Sequence, residues 1–171
     1  PGDTVVEIGC GTGLNFGLLQ RRIGPRGKIV GVDLTPEMLA KAGERVERRN
    51  WSNVRLIQSD AAAFDYPRPV DGVISTFALT LVPEYDRVIR KAAEVLPPGK
   101  RFVLLDFKLP NWPAWLIRLF VVFSRPFGVT LDLGERHLWK SVDRHLQTVL
   151  FAERYFGCIY ICAGEAKYGS A

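Results

Sequence analysis

Residues 4–13 read TVVEIGCGTG, and this short stretch decides the fold of the chain. Its first half is an apolar, β-branched run that is typical of a buried strand, and its second half has a glycine at every other position. Glycines let the backbone turn tightly and approach a ligand closely, because they carry no Cβ. A helix is predicted directly afterwards, over residues 13–22. Its N-terminus would offer unpaired N–H groups and positive dipole to an anion at the turn.

The same alternation of strand and helix continues through the first two thirds of the chain. The predicted strands are residues 4–8, 28–33, 54–59, 72–76 and 100–106. A second helix is predicted to begin at Pro36 with Thr35 as its cap, and a third to cover residues 84–96. Five nearly continuous apolar strands with mostly helical connections predict a parallel sheet covered on both faces. Right-handed crossovers make this a doubly wound α/β fold.

The last third has a different pattern. Residues 112–124 begin at Trp112, end at Ser124 and are densely apolar, whereas residues 132–144 are polar. Two strand-like runs, residues 146–155 and 157–163, then follow closely enough to form an antiparallel hairpin.

Size and composition indicate one domain that spans residues 1–171 and is 47% hydrophobic and 24% charged. Cys10, Cys158 and Cys162 fit no disulfide framework and no zinc spacing, which predicts a reduced, cytoplasmic protein without a metal. A net charge of +5 does not distinguish nucleic acid, anionic lipid and acidic metabolites as partners. Because the chain opens on a central strand, we expect an N-terminal cap segment to precede it.

The glycine turn is compatible with two kinds of cofactor site. The dinucleotide fingerprint G-x-G-x-x-G requires a small residue where this chain has Leu14. The pattern E/D-x-G-x-G-x-G of a methyl-donor site is matched in full, with Glu7 followed by the three glycines. The turn therefore favours a methyl donor over a dinucleotide.

Two further strand ends carry residues that suit a nucleoside. Asp33 ends the second strand about 20 residues past the glycines, where a carboxylate accepts both hydroxyls of a ribose. Leu34 and Met38 are then placed to lie beside an adenine. Asp60 follows the third strand and can accept from an exocyclic amine, while Ala61 leaves room for the ring. Helix capping is the alternative role for both aspartates.

Five stretches together resemble the successive motifs of class I S-adenosylmethionine-dependent methyltransferases, over roughly residues 1–106: VVEIGCGTG, VGVDLTPEML, QSDAAAFDYP, VDGVIST and LPPGKRFVLLDF. The resemblance implies a Rossmann-like, mostly parallel seven-stranded sheet. The C-terminal hairpin would supply its sixth and seventh strands, the last of them inserted antiparallel. It also implies S-adenosylmethionine as cofactor and S-adenosylhomocysteine as product.

Motif positions and the strand-end argument together give a set of expected cofactor contacts. These are Glu7, Gly9, Cys10, Gly11, Thr12 and Gly13 around the methionine part, Asp33 at the ribose, Leu34, Met38, Asp60 and Ala61 at the adenine, and Ser75 and Thr76 where the methyl group meets its acceptor. Cys10 is expected to be a small core-facing residue and not a nucleophile. Phe77 is expected either to line the pocket or to pack.

No catalytic residue is predicted. A sulfonium is already activated toward displacement, so an enzyme has mainly to align the reactants and exclude water. A general base is needed only if the acceptor must lose a proton. His137 and His145 are expected to be surface residues.

The acceptor is expected to be a small or lipid-like molecule. Three stretches, TGLNF, STFALTLVPEY and the basic-aromatic insert, look most like bacterial phosphatidylethanolamine N-methyltransferases and quinone-biosynthesis C-methyltransferases. These imply a phospholipid headgroup or a quinone precursor. VLLDFKLPNW is also similar to a group that transfers the aminocarboxypropyl arm of the cofactor to diacylglycerol. Residues 112–124 would either contact a membrane surface or form a buried helix.

Two other classes of function remain as alternatives. A non-catalytic adaptor would keep the glycine turn but obstruct the acceptor pocket. A nucleic-acid methyltransferase would use the positive charge, but the Asn/Asp-Pro-Pro-Tyr type of motif is missing after the fourth strand, where the chain has Ser75, Thr76, Phe77 and Ala78. We therefore expect no nucleic-acid partner.

Overall fold

Strands and helices alternate along the chain in a computed structural model that describes residues 1–108, 113 and 136–167. The strands are β1 (Thr4–Ile8), β2 (Lys28–Asp33), β3 (Val54–Gln58), β4 (Gly72–Thr76), β5 (Arg101–Phe107), β6 (Gln147–Arg154) and β7 (Ile159–Glu165). The helices within these residues are α1 (Phe16–Ile23), α2 (Pro36–Arg48), α3 (Tyr85–Val95) and α4 (Leu138–His145), and a 3₁₀ turn lies at Leu79–Leu81.

The strands of the described residues form one seven-stranded sheet in the order β3-β2-β1-β4-β5-β7-β6. The strands β1 to β5 are parallel, and β7 is inserted antiparallel between β5 and β6. The predicted fold class is therefore confirmed. The strand order reverses at β1, whose neighbours are β2 and β4, so a ligand crevice is expected at the carboxyl ends of β1 and β4.

Helices cover both faces of the sheet because β1 and β2 are apolar on both sides. Val5 and Ile29 pack with Phe16, Ile23 and Ala42 from α1 and α2. On the opposite face, residues of β1, β2, β4, β5 and β7 pack against apolar residues of α3 and α4, including Val88, Ile89, Ala92, Leu138 and Val142. This two-sided burial is the reason that the parallel strands are nearly continuous apolar runs.

The amino-terminal edge of the sheet is held by Asp71, which stands just before β4. Its Oδ2 accepts a 2.9 Å hydrogen bond from the Thr4 amide, and its Oδ1 lies 3.0 Å from Nζ of Lys100. The amide hydrogen bond, with the lysine beside it, lowers the pKa of Asp71. These contacts lie at the opposite edge from the expected crevice.

The structure differs from the sequence prediction in three local features. Helix α1 begins at Phe16, because the preceding residues form turns. Helix α4 lies in a stretch predicted to be only polar, and it forms because Leu138 and Val142 share one buried face. The last strand begins at Ile159, because Gly157 adopts a φ of +82° within a turn.

The apolar residues 112–124, for which a membrane contact or a buried helix was predicted, lie outside the described residues except for Pro113. Among the residues described, no helix has the length and apolar character needed to cross a bilayer.

Candidate functional site

A cavity of about 720 Å³ opens at the carboxyl ends of β1 to β4, at the point where the strand order reverses. Eleven of the expected contact residues line it: Glu7, Gly9, Cys10, Gly11, Thr12, Asp33, Leu34, Met38, Asp60, Ala61 and Thr76. Phe77 also lines it, so its ring is part of the cavity wall. The fold thus gathers residues that are up to 70 positions apart in the chain into one crevice.

Gly13 and Ser75 are not among the lining residues. Gly13 has a φ of +70°, and a Cβ there would lie 2.6 Å from the ring of Phe16, so this glycine shapes the turn behind the cavity. Ser75 is buried on β4, and its hydroxyl has no hydrogen-bond partner in the described part of the chain.

The glycine turn is tied to the end of β2. The amides of Gly9 and Cys10 both donate to the carbonyl of Val32, at 2.8 and 3.0 Å. Gly9 has a φ of +67°, and a Cβ on it would lie 2.1 Å from Cβ of Ala78. A glycine is therefore required here both by backbone conformation and by the close approach of the loop after β4.

Asp33 holds the glycine turn and the start of α2 with one carboxylate. Its Oδ2 accepts a 2.8 Å hydrogen bond from the Gly11 amide, and its Oδ1 accepts a 2.9 Å bond from the Thr35 amide. Thr35 is the N-cap residue of α2, as predicted, but its hydroxyl makes no capping bond. Asp33 accepts from the Thr35 amide instead. A carboxylate has about four acceptor positions, so Asp33 retains capacity for a ligand diol.

Glu7 is the most unusual group in the cavity, because its side chain is a carboxyl that is only 1% exposed. Its Oε1 accepts a 2.7 Å hydrogen bond from the Asn15 side-chain amide, which also donates to the Thr76 hydroxyl at 3.1 Å. Its Oε2 is buried and has no partner among the described residues. Burial raises the pKa of Glu7 to about 7, although the Asn15 hydrogen bond opposes this. A cationic ligand group would satisfy the free oxygen.

Asn15 was not predicted from the sequence. It stands just before Phe16, the first residue of α1, in the turn that follows the glycines, and this position is the only signal that could have indicated it. Its importance comes from contacts with β1 and β4, which are visible only once the sheet is formed.

The far end of the cavity is apolar on one side and acidic on the other. The side chains of Leu34 and Met38 are 63% and 39% exposed, which leaves apolar surface uncovered beside the cavity. Asp60 accepts a 2.7 Å hydrogen bond from the Ala62 amide, so it does cap a turn, as the alternative interpretation proposed, and it also lines the cavity.

The wall after β4 carries an aromatic pair. The ring of Phe77 stacks on that of Phe107 with centroids 4.4 Å apart. Phe77 has a φ of +54°, which a bulky residue rarely adopts, and its amide donates to the Leu105 carbonyl at 2.8 Å. Phe107 was not predicted, because its contact with Phe77 depends on the pairing of β4 with β5.

Asp106 fixes the loop that carries this wall. Its fully buried carboxylate accepts hydrogen bonds from the amides of Thr80 and Phe107, at 2.9 and 2.8 Å, and burial raises its pKa to about 6. The guanidinium of Arg136 donates to the Thr80 carbonyl at 2.6 Å. The Thr80 residue is thus held through both its amide and its carbonyl.

Comparison with known proteins identifies the family. A family model described as a methyltransferase domain matches residues 5–99, which is more than half of the chain. The chain belongs to the methyltransferase domain family. The resemblance to class I S-adenosylmethionine-dependent methyltransferases inferred from the sequence motifs is thereby confirmed.

Two curated relatives of this methyltransferase domain are quinone methyltransferases. The demethylmenaquinone methyltransferase of Listeria welshimeri is 34% identical over 145 residues, which cover 84% of this chain and 60% of the relative. The 2-phytyl-1,4-naphtoquinone methyltransferase of Thermosynechococcus vestitus is 30% identical over 150 residues, covering 83% of this chain and 65% of the relative. The chain thus spans about three fifths of the length of these relatives.

Solved structures share the fold of the methyltransferase domain. A SAM-dependent methyltransferase from Aquifex aeolicus superposes with a TM-score of 0.71 at 20% identity, over 96% of this chain and 82% of that one. The N-methyltransferase NodS from Bradyrhizobium japonicum, in complex with S-adenosyl-L-homocysteine, superposes with a TM-score of 0.67 at 15% identity. The superposition covers 97% of this chain and 79% of that one.

Of the thiol and imidazole groups in the described part of the chain, only that of Cys10 belongs to a residue that lines the cavity. Burial, with Glu7 and Asp33 nearby, raises the pKa of Cys10 to about 12, so its thiol stays protonated. His145 was expected at the surface but is largely buried, and its Nε2 lies 3.2 Å from Oδ1 of Asp86. Neither residue lines the cavity. His137 stacks on Trp139. Within residues 1–108 and 136–167, no group of three potential metal ligands is found.

Proposed function

We propose that this chain binds S-adenosylmethionine and directs its methyl group to an apolar, ring-bearing acceptor, with a quinone precursor as the first candidate. The observation that carries the proposal is the buried Glu7 carboxyl, whose Oε2 has no partner in the described structure and which borders the same cavity as the glycine turn and Asp33. A buried acid beside a backbone turn is suited to an amino-acid ammonium, and Asp33 to a ribose diol.

The residues present fit this cofactor from one end to the other. Glu7 would hold the ammonium, Asp33 the ribose hydroxyls, and Leu34 and Met38 the face of the adenine, while Asp60 would accept from its exocyclic amine. When bound, S-adenosylmethionine supplies a methyl group on a sulfonium, which is already activated for displacement. Gly13 and Ser75 remain part of the proposal as residues that shape the turn and the β4 end.

The residues of the chain itself would act by positioning the cofactor and the acceptor. Asn15 holds Glu7 and Thr76 together, and Asp106 with Arg136 fixes the loop that ends at the cavity wall. Fixed walls align the two reactants and exclude water, which is most of what methyl transfer requires. We assign no general base.

An apolar ring acceptor is supported by the wall after β4. Phe77 and Phe107 present a stacked aromatic pair whose residues are 38% and 50% exposed, and Leu81 beside the cavity is 66% exposed. Such surfaces favour planar, apolar molecules. The named activities of the two quinone methyltransferase relatives point to the same class. Three free thiols fit a reduced compartment such as the cytoplasm.

Calorimetric titration with S-adenosylmethionine and S-adenosylhomocysteine tests the cofactor. We expect one site per chain, with affinity at least about tenfold weaker in Asp33→Asn, since a charge-assisted bond is lost. Asp65→Asn is the matched control, because its side chain is 98% exposed and lies outside the cavity lining. A folded wild-type chain that binds neither compound would refute the proposal.

The acceptor is tested with cofactor labelled either in the methyl group or in the aminocarboxypropyl arm. We expect methyl label in a reduced naphthoquinone lacking its ring methyl. Methyl label in phosphatidylethanolamine would favour the phospholipid alternative, and arm label in diacylglycerol the aminocarboxypropyl alternative. Cofactor binding without transfer to any of these acceptors would favour an adaptor.

A further inference from the structure

The turn between β6 and β7 carries two aromatic residues in an unfavourable backbone conformation. Tyr155 and Phe156 have φ angles of +52° and +58°, and the turn is closed by hydrogen bonds of 3.1 Å from the Gly157 amide to the Arg154 carbonyl and from the Cys158 amide to the Tyr155 carbonyl. Two successive residues with positive φ are typical of hairpin turns made by Asn and Gly. Bulky aromatic residues adopt this conformation only at a cost.

The described part of the chain buries little of these side chains. Tyr155 is 74% exposed and Phe156 is 89% exposed. Neither turn geometry nor core packing therefore accounts for two aromatic residues at this tip. Strained backbone and exposed apolar surface at the same place are typical of an interaction surface.

The tip lies at the same edge of the sheet as the cofactor cavity. In the antiparallel pairing of β5 with β7, Ile159 is opposite Phe107 and Tyr160 is opposite Asp106. The hairpin turn therefore projects beyond the carboxyl end of β5, where Phe107 stacks on Phe77. The exposed aromatic residues of the tip and the aromatic wall of the cavity share one edge of the molecule.

The charges around the tip favour an anionic surface. The carboxylate of Glu153 is paired with Lys108, which removes the acidic charge nearest the tip. Arg154 is exposed and adjoins the two aromatic residues. The whole chain carries a net charge of +5. Aromatic rings beside an arginine are suited to the interface of a bilayer, where rings enter the headgroup region and the guanidinium meets lipid phosphates.

We propose that the Tyr155–Phe156 tip inserts into the surface of an anionic lipid bilayer and thereby turns the cavity edge toward the membrane. This contact does not require cofactor. If the chain acts on a quinone-like acceptor, as proposed above, the contact brings the cavity to the phase in which such acceptors dissolve. The interaction surface is nevertheless a separate property of the hairpin.

Co-sedimentation with vesicles tests the proposal directly. We expect the wild-type chain to sediment with vesicles of equal parts phosphatidylcholine and phosphatidylglycerol, and much less with phosphatidylcholine alone. The double substitution Tyr155→Asn with Phe156→Gly should lower the partition coefficient by about tenfold or more, because it removes the inserted apolar area. It also introduces the residues that the turn prefers, so its melting temperature should not fall below that of the wild type.

Two arginine substitutions separate a local charge contact from a general effect of net charge. Arg154→Glu should weaken binding to the anionic vesicles by about fivefold or more. Arg26→Glu makes the same charge change just before β2, at the opposite edge of the sheet, and should have a clearly smaller effect.

The proposal is overturned if the wild-type chain fails to sediment with the anionic vesicles, if the double variant sediments equally well, or if the two arginine variants bind equally weakly. Because cofactor affinity is measured separately by calorimetry without lipid, a chain that binds cofactor but no vesicles would leave the proposed function intact.

Discussion

The side-chain amide of Asn15 donates a 2.7 Å hydrogen bond to Oε1 of Glu7, while Oε2 stays buried and unpaired among the described residues. One neutral donor does not compensate for the removal of a carboxylate from water. Burial therefore raises the pKa of Glu7 from an ordinary value of 4.5 to about 7. Below pH 7 the free chain therefore holds a mostly protonated acid at the place where we expect a cationic ligand group.

The stability of the free chain should depend on this proton. Below pH 4.5 both the folded and the unfolded chain hold the Glu7 proton, and Glu7 causes no loss of stability. As the pH rises toward 7 the unfolded chain releases the proton first, so the free energy of unfolding falls by about 3 kcal/mol and then levels off. Glu7→Gln should remove this decline. Urea unfolding of both proteins from pH 5 to pH 8 measures the difference, and parallel curves would contradict the assignment.

Cofactor binding should release a proton from Glu7. At pH 6.5 the free carboxyl is mostly protonated, and a bound ammonium would favour its ionised form. Calorimetry in buffers with different ionisation enthalpies measures the protons exchanged. We expect net release that is larger in the wild type than in Glu7→Gln, whose affinity should also be lower. Equal proton exchange in the two proteins would place the ammonium elsewhere.

Gly9 and Gly11 should respond differently to the same substitution. Both have positive φ angles, but a Cβ at Gly9 meets Ala78 at 2.1 Å, whereas one at Gly11 meets nothing within 4 Å. Gly11→Ala should therefore cost about 1 kcal/mol of stability, and Gly9→Ala about 3 kcal/mol or more. Gly11→Ala should still weaken cofactor binding, because its methyl group enters the cavity. Equal losses of stability would mean that the loop after β4 moves away freely.

The sequence predicted the central strands and the glycine turn well, for a physical reason. Strands buried on both faces are nearly continuous apolar runs, and Gly9, Gly11 and Gly13 are needed at fixed positions by the turn itself. Asp33 and Asp60 could be found because the carboxyl ends of parallel strands meet at one edge. The apolar runs and the glycines are local signals, and the meeting of the two aspartates at one edge follows from the topology of the sheet.

The features that were missed depend on contacts between distant segments. Asp106 accepts from the Thr80 amide, 26 positions away, and Phe107 stacks on Phe77 only because β4 and β5 are paired. Helix α4 was missed because its polar residues mask a short buried face. The hairpin turn was predicted too short, because Tyr155 and Phe156 are not residues that predict a turn.

The aromatic pair at the cavity wall gives the sharpest test of the acceptor class. Phe107→Leu keeps an apolar side chain but removes the ring stacked on Phe77, so the wall should lose its preference for planar molecules. We expect kcat/KM for a reduced naphthoquinone to fall by about fivefold, since a lost ring contact with the acceptor is worth about 1 kcal/mol beyond its buried area. Cofactor affinity should be unchanged.

Phe151→Leu is the control, because Phe151 is a similarly exposed aromatic residue on β6. It should leave kcat/KM within about twofold of the wild type, as expected for a site with no acceptor contact. If the two variants lose activity equally, or if Phe107→Leu weakens cofactor binding to the same extent, the aromatic pair does not recognise the acceptor.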